Sequence, residues 1–387
     1  MAKKLLILLV MVFSFLLINS TPVAAAENPL AVANNKVGIH ILDPSELPEA
    51  AKLVNSNGGE WGYVLIPIQT GDRDMVKWQN FMDQCKQLHL IPIIRLASED
   101  DYFNTQVWRK PDYNDITDFA NFLNSLDWPT KNHYIIVFNE VNRGDEWGGS
   151  ANPSEYAQLL SFAVSVFKAK SPDFFMISAG LDNAAPDQGS RYINEYNYLK
   201  QMNDAVPGIF NQLDGISSHS YPNPGFSQPP DPNSATGVGS FIHERDLIKT
   251  LNNKDLPVFI TETGWSSTSV SDTTEVRYYD QTFKTIWNDP GIVVVTPFLL
   301  QAGAGPFEQF TFIATNGSLT KQYSYVHDML KIKGVPSFPT RVLGASIGPA
   351  TQEAQIVTKD FSGYKPARRP FSLVNAMEGV FNYIINR

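Results

Sequence analysis

Two glutamates 122 positions apart each close an apolar run: Ile135-Ile136-Val137-Phe138-Asn139-Glu140 and Val258-Phe259-Ile260-Thr261-Glu262-Thr263-Gly264-Trp265. A hydrophobic run that stops at a glutamate carries an ionisable group out of a buried sheet, into whatever lies beyond its carboxyl end. Two such carboxyls facing one cleft are the equipment for cleaving a glycosidic bond: one protonates the leaving oxygen while the other attacks, or activates water at, the anomeric carbon. The pair must then hold different protonation states at one pH. Apolar surroundings would keep the proton on the acid, and hydrogen-bond donors would keep the nucleophile ionised.

The elements that must position them recur along the chain. Eight short apolar runs stand near 37–41, 62–68, 90–97, 133–139, 174–180, 214–220, 257–263 and 292–300. Helix signals follow each, near 45–56, 75–88, 114–125, 153–167, 190–203, 240–252, 274–287 and 322–332. The fourth has the fullest start: Asn152 as cap, Pro153 at the first helical position and Glu155 in the first turn. Eight alternating strand and helix units predict an α/β fold with a parallel sheet, closed as a (β/α)8 barrel. An open doubly wound sheet would want a glycine-rich phosphate loop after the first strand, and Val37-Gly38-Ile39-His40-Ile41 supplies none. Pro67 and Pro92 fall inside two of the strands, where a missing amide donor is a cost.

A barrel of this kind carries its active site at the carboxyl ends of the strands. Those ends supply His40, Gln69, Arg95, Asn139 with Glu140, Asp182 with Asn183, His219 with Tyr221, Glu262 with Trp265, and Gln301. The six histidines are scattered and no H-E-x-x-H occurs, so neither a catalytic metal nor another cofactor is expected. Arg95 and Tyr221 are the candidate donors to Glu262, and Asn139 the candidate partner of the sugar hydroxyl next to the anomeric carbon. Each residue also has a plainer reading. Glu140 can pair with Arg143 or Lys131, Arg95 can serve a buried ion pair, and His219 and His40 can be structural. Trp147 and Trp265 can be packing rather than platforms for sugar rings, and Glu99-Asp100-Asp101 a solvated loop.

Composition narrows the partners. Residues 1–26 read as a secretory signal: Lys3 and Lys4, an apolar run over 5–18, then Val23-Ala24-Ala25-Ala26. Its removal takes away two lysines and moves the formal charge from −9 to −11. An acidic exported protein, secreted or held at the cell surface, is poorly suited to nucleic acid or an anionic membrane, whereas a neutral polysaccharide or oligosaccharide is compatible. The lone Cys85 lies at helical spacing with Trp78, Phe81 and Met82 and reads as a buried thiol. The expected organisation is a signal peptide over 1–26, one catalytic barrel over 27–335 and a C-terminal extension over 336–387, acting as a monomer.

Taken together, Asn139-Glu140 closing strand 4, His219-Ser220-Tyr221-Pro222 closing strand 6 and Thr261-Glu262-Thr263-Gly264-Trp265 closing strand 7 resemble the retaining glycoside hydrolases of clan A. The order and placement of the three motifs over residues 35–335 carry the resemblance more than any one of them. It implies Glu140 as acid/base, Glu262 as nucleophile, Tyr221 orienting Glu262, and Asn139 and His219 lining the cleaved subsite, with Arg95 fitting the clan's early-strand arginine less closely. One departure stands out. Clan members usually place a tryptophan at the end of strand 8 as a floor for the sugar, and residues 292–301 contain none. Phe298 or Trp265 would have to take its place. The expected activity is hydrolysis of β-linked glycosides with retention. The departure motivates a second expectation, a carbohydrate-binding barrel without catalysis. Transglycosylation in wall or exopolysaccharide remodelling shares the nucleophile and is the third; its products would be longer than the donor.

Overall fold

The computed structural model describes residues 26–100, 106–303 and 305–339. The signal-like residues 1–25, Asp101 of the acidic run and the greater part of the C-terminal extension lie outside the described residues. The strands are β1 (Gly38–His40), β2 (Gly62–Gln69), β3 (Leu90–Ala97), β4 (His133–Ile136), β5 (Phe174–Ile177), β6 (Ile216–His219), β7 (Val258–Glu262) and β8 (Ile292–Val295). They alternate with helices α1 (Leu47–Val54), α2 (Met75–Gln87), α3 (Tyr113–Asn124), α4 (Pro153–Lys170), α5 (Glu195–Ala205), α6 (Ser240–Asn252), α7 (Asp272–Lys284) and α8 (Lys321–Asp328). All neighbouring strands pair in parallel, in runs β1 to β5 and β6 to β8. Parallel bridges Ile177↔Gly215 and Val37↔Val295 join the two runs at both seams. The ring is the expected (β/α)8 barrel.

The two awkward prolines have a physical account. Ile41 donates to Leu65 O, so the amide that Pro67 lacks points to the β1 side, beyond β1's last pair, His40 with Leu65. Thr70 donates to Ala97 O, so the odd residues of β3 face β2 and Pro92 faces β4, whose pairing begins only at Ile93. Pro67 forgoes one rung past the last β1 pair, and Pro92 stands just before the β4 pairing begins, so the cost is confined to the ends of the ladders.

Alternation sorts the strand side chains. Tyr63, Leu65, Ile91, Ile93, Tyr134, Ile136, Phe175, Ile177 and Phe259 form the barrel interior. Val64, Ile66, Ile94, Ile135, Met176, Val258 and Ile260 pack outward against the helices. Both faces of the sheet are buried, as a parallel sheet covered by helices requires. Cys85 is buried in this outer core, where burial raises its thiol pKa.

Caps start most helices. Asp74 accepts from Val76 N and Lys77 N at 3.0 Å each, Asp112 and Asp115 form a capping box on α3, and Asn152 accepts from Glu155 N at 3.2 Å. The fifth helix begins at Glu195, not near 190 as the pattern suggested. Its would-be first turn is used elsewhere: Gly144 donates to Arg191 O at 2.7 Å and Ile193 donates to Asn142 O at 2.9 Å. Residues 191–193 thereby brace the loop that follows Glu140.

Several carboxyls are buried without a cation. Glu275 on α7 is 1% exposed and one of its oxygens has no partner; burial, then the nearby Asp272 charge, push its pKa to about 8. Glu244 on α6 is pushed to about 7 chiefly by burial. A carboxyl raised in the folded state holds its proton there while the unfolded chain releases it. The stability it contributes is therefore full below about pH 4.5 and is lost as pH rises towards the folded value. The melting temperature should fall between pH 5 and pH 8.5, and the fall should be smaller in Glu275→Gln. Scanning fluorimetry of both proteins at the two pH values checks this; an equal fall in both would refute it.

Candidate active site

At the mouth of the barrel Glu262 is turned inward by a break in register. Phe259 faces the interior, so simple alternation would send Glu262 outward with Val258 and Ile260. The β6–β7 ladder slips between Ser218 and His219, pairing Ser218 with Ile260 but His219 with Glu262. That extra residue re-aims the carboxyl, a recurrent use of irregularities beside active sites. Thr263 Oγ1 donates to Ser220 O at 2.7 Å and Thr296 Oγ1 to Thr261 O at 2.7 Å, fixing the strand on both sides. Arg95, in step with Ile91 and Ile93 on β3, donates from Nη1 to Glu262 Oε1 at 2.6 Å and to Asn139 Oδ1 at 2.7 Å. Tyr221 OH donates to Glu262 Oε2 at 3.1 Å.

Glu140 stands across from it, beyond the end of β4. Phe138 and Glu140 both have positive φ, +69° and +35°, so Asn139 and Glu140 leave the sheet through a turn that non-glycine residues rarely adopt. The Glu140 amide donates to Gly180 O at 2.9 Å. Glu140 Oε1 lies 3.0 Å from His219 Nδ1, which is also 3.8 Å from Glu262 Oε2. Arg143 comes within 3.7 Å of Glu140 but is committed to Asp145 and Asp182, at 2.8 and 2.9 Å. Lys131 pairs with Glu27 instead.

The two carboxyls are pulled in opposite directions. Burial drives the Glu140 pKa up, and the His219 hydrogen bond and charge and the Arg143 charge do not cancel it, so its proton is retained above the ordinary range. Burial acts on Glu262 as well, but the charges of His219, Arg95 and His40 and the Arg95 hydrogen bond outweigh it and hold its pKa below the ordinary value. Burial would lower the His219 pKa; Glu262 and Glu140 on either side raise it. Carboxylate and imidazole atoms of Glu140, His219 and Glu262 lie within 4.8 Å of one another, a spacing that could also serve a metal ion. Arg95 against Glu262 and Arg143 beside Glu140 already set cations on both carboxyls, which disfavours a third positive charge.

Arg95, Asn139, Glu140, His219, Tyr221 and Glu262 are thus brought together. His40 lies under them, wholly buried, its ring 5.0 Å from that of Phe298 and both nitrogens without a partner. Burial and the Arg95 charge lower its pKa to about 3, so it is a neutral wall of the site, not a surface that a sugar touches. Trp265 is not a sugar platform: it is 0% exposed, packs on Tyr278, Tyr279 and Trp287, and donates from Nε1 to Gln228 O at 2.9 Å. Trp147 is likewise core, packed edge-on against Phe138 and Tyr156. Phe298, clustered with Tyr221 and Phe310, is the aromatic residue at the β8 side of the site.

Three contributions escaped the sequence, although Arg143 and Asp182 were both named in it. Gly180, just beyond β5, leaves the room that the His219 ring fills; a Cβ there would overlap it. Arg143 with Asp145 and Asp182 forms the buried cluster behind Glu140. Glu146 lines the cleft next to Arg95 and Asn139. For Asp145 and Glu146 the only signal was proximity to Asn139-Glu140 in the chain, whereas Asp182 stands at a strand end.

No protein-family model and no curated protein matches the chain. Among solved structures it is similar to a family 39 glycoside hydrolase from the gut symbiont Bacteroides cellulosilyticus WH2, at 13% identity and a TM-score of 0.54, over 79% of this chain and 64% of that one. It is similar also to a GH39 β-xylosidase from Caulobacter crescentus, at 14% identity and 0.55, over 79% and 72%. A third is an exo-β-1,4-mannosidase from Opitutaceae bacterium strain TAV5, at 13% and 0.54, over 80% and 61%. The chain spans just under two thirds of the first. At such identities the likeness is one of fold, and these structural neighbours are glycoside hydrolases. Among the described residues no helix is long and apolar enough to cross a membrane.

Proposed function

We propose that this protein is a retaining glycoside hydrolase acting on β-linked poly- or oligosaccharides. The observation that carries the reading is the pair Glu140 and Glu262, with oxygens within 4.8 Å and pKa values driven apart by their surroundings. Retaining glycosidases hold their carboxyls about 5–5.5 Å apart, whereas inverting ones need roughly 6.5–9.5 Å to admit a water. The β-linkage is supported by the names of the neighbours, a β-xylosidase and an exo-β-1,4-mannosidase.

In this reading Glu262 attacks the anomeric carbon as the bond to the leaving oxygen breaks, and the Glu140 proton passes to that oxygen. The product of this step is an ester of Glu262. Glu140, now a carboxylate, takes a proton from water, whose oxygen displaces Glu262 and restores both groups. Arg95 and Tyr221 keep Glu262 ionised and aimed. Asn139 gives its carbonyl to Arg95, leaving its amide N–H groups for the sugar hydroxyl beside the anomeric carbon. His219 and Phe298 wall the same subsite. We propose further that residues 27–335 are the catalytic unit and that the protein is exported and works outside the cell.

The test is reducing-sugar release from a panel of β-glucans, xylans, mannans and galactans, with Glu262→Ala as control. Release that vanishes in the variant supports hydrolysis; oligosaccharide binding without release, unchanged in the variant, would replace it with the binding-barrel reading. Gly180→Ala is a subtler probe. It must push the His219 ring off Glu140, and a misplacement near 1 Å is expected to lower kcat about 10²-fold. Unchanged kcat in a folded Gly180→Ala protein would mean that His219 does not position the acid.

A further inference from the structure

We propose that a hollow beside the two glutamates is a second sugar subsite, in which Glu146 reads the hydroxyl groups of a neutral sugar unit adjoining the one that is cleaved; the proposal rests on the hydrolase reading. The hollow lies at the carboxyl ends of β2, β3 and β4. Its floor is shared with the catalytic group, through Arg95 and Asn139, so a chain passing over Glu262 runs directly into it. Its walls add Gln69, Ser98, Trp108 and Glu146.

Two of these walls are chemically unfinished. Trp108 is 8% exposed and its indole N–H is buried without an acceptor. On a cleft wall such a donor is available to a ligand or a water. Glu146 feels the charges of Glu140, Asp145, Arg143 and Arg95, yet none of the described residues is hydrogen-bonded to its carboxyl. Burial first, then Glu140 and Asp145, push its pKa well up despite the two arginines. A carboxyl that keeps its proton both donates and accepts, which suits the paired hydroxyls of a pyranose ring. Held protonated, it offers no net charge to pair with a charged sugar and so suits a neutral one.

The experiment compares 4-nitrophenyl β-glycosides of glucose, xylose and mannose with those of the corresponding β-1,4-linked disaccharides, reading nitrophenol release. For the sugar that is cleaved, kcat/KM should be at least about tenfold higher on the disaccharide, and Glu146→Ala should close most of that gap. Glu146→Gln, which keeps shape and hydrogen bonding, should preserve more of the ratio than alanine. A ratio unchanged in both variants, with both folded and active, overturns the subsite. Absence of cleavage of any of the glycosides by the unaltered protein would instead overturn the hydrolase reading, and this inference with it.

Discussion

Replacing Glu262 by alanine is expected to lower turnover by about 10⁴-fold or more, because covalent catalysis has no second nucleophile to fall back on. The loss alone would not distinguish a nucleophile from a group that holds the site together. Glu262 is buried against Arg95 at 2.6 Å, so its removal leaves a guanidinium without its carboxylate. The discriminating result is chemical rescue. Alanine opens a space on the face of the sugar from which Glu262 would attack, and azide is small enough to enter it, with Arg95 and Tyr221 there to receive an anion. Azide should therefore restore part of the rate on an activated β-aryl glycoside, and the product should be the α-glycosyl azide formed by a single displacement. Rescue that yields the β-azide, or no dependence on azide while the variant remains folded, would remove Glu262 from the role of nucleophile.

The geometry behind that expectation was only partly legible in the chain. Strand ends were readable because a barrel buried on both faces writes its strands as continuous apolar runs, and Arg95, Asn139, Glu140, His219, Tyr221 and Glu262 all stand within a few residues of where such a run stops. Trp265 obeys the same positional rule yet faces away. The backbone after Glu262 turns through Gly264 at φ +150° and carries the indole into the core with Tyr279 and Trp287. The direction of a side chain past a strand end depends on the loop, and the loop is not periodic. Gly180 was invisible for a different reason. What matters there is the absence of an atom, and only the position of the His219 ring shows why that atom must be absent. The register slip that aims Glu262 is equally silent, since it arises between two strands and belongs to neither alone.

Removing the acid should have a different signature from removing the nucleophile. Glu140→Gln keeps the shape and abolishes the proton transfer, an effect of typically 10²–10⁴-fold on substrates whose leaving group needs protonation. A 2,4-dinitrophenyl glycoside needs none, so its first step should be nearly spared and its second, which requires Glu140 as base, should become limiting. Azide should then accelerate turnover and give the β-glycosyl azide, the opposite anomer from that expected with Glu262→Ala. The pH profile follows from the same assignment. Glu262 must be ionised and its pKa is lowered, so kcat/KM falls as pH drops through that lowered value. Glu140 must be protonated and its pKa is raised, so kcat/KM falls again as pH climbs through the raised value. Because Glu140 and His219 share a hydrogen bond at 3.0 Å, the basic limb belongs to the pair and not to either group alone. In Glu140→Gln that basic limb should disappear while the acidic limb stays. A variant that loses rate equally on both kinds of leaving group and keeps its basic limb would show that Glu140 holds the site without donating the proton, and the acid would have to be sought elsewhere in the cleft, with Glu146 the next carboxyl in line.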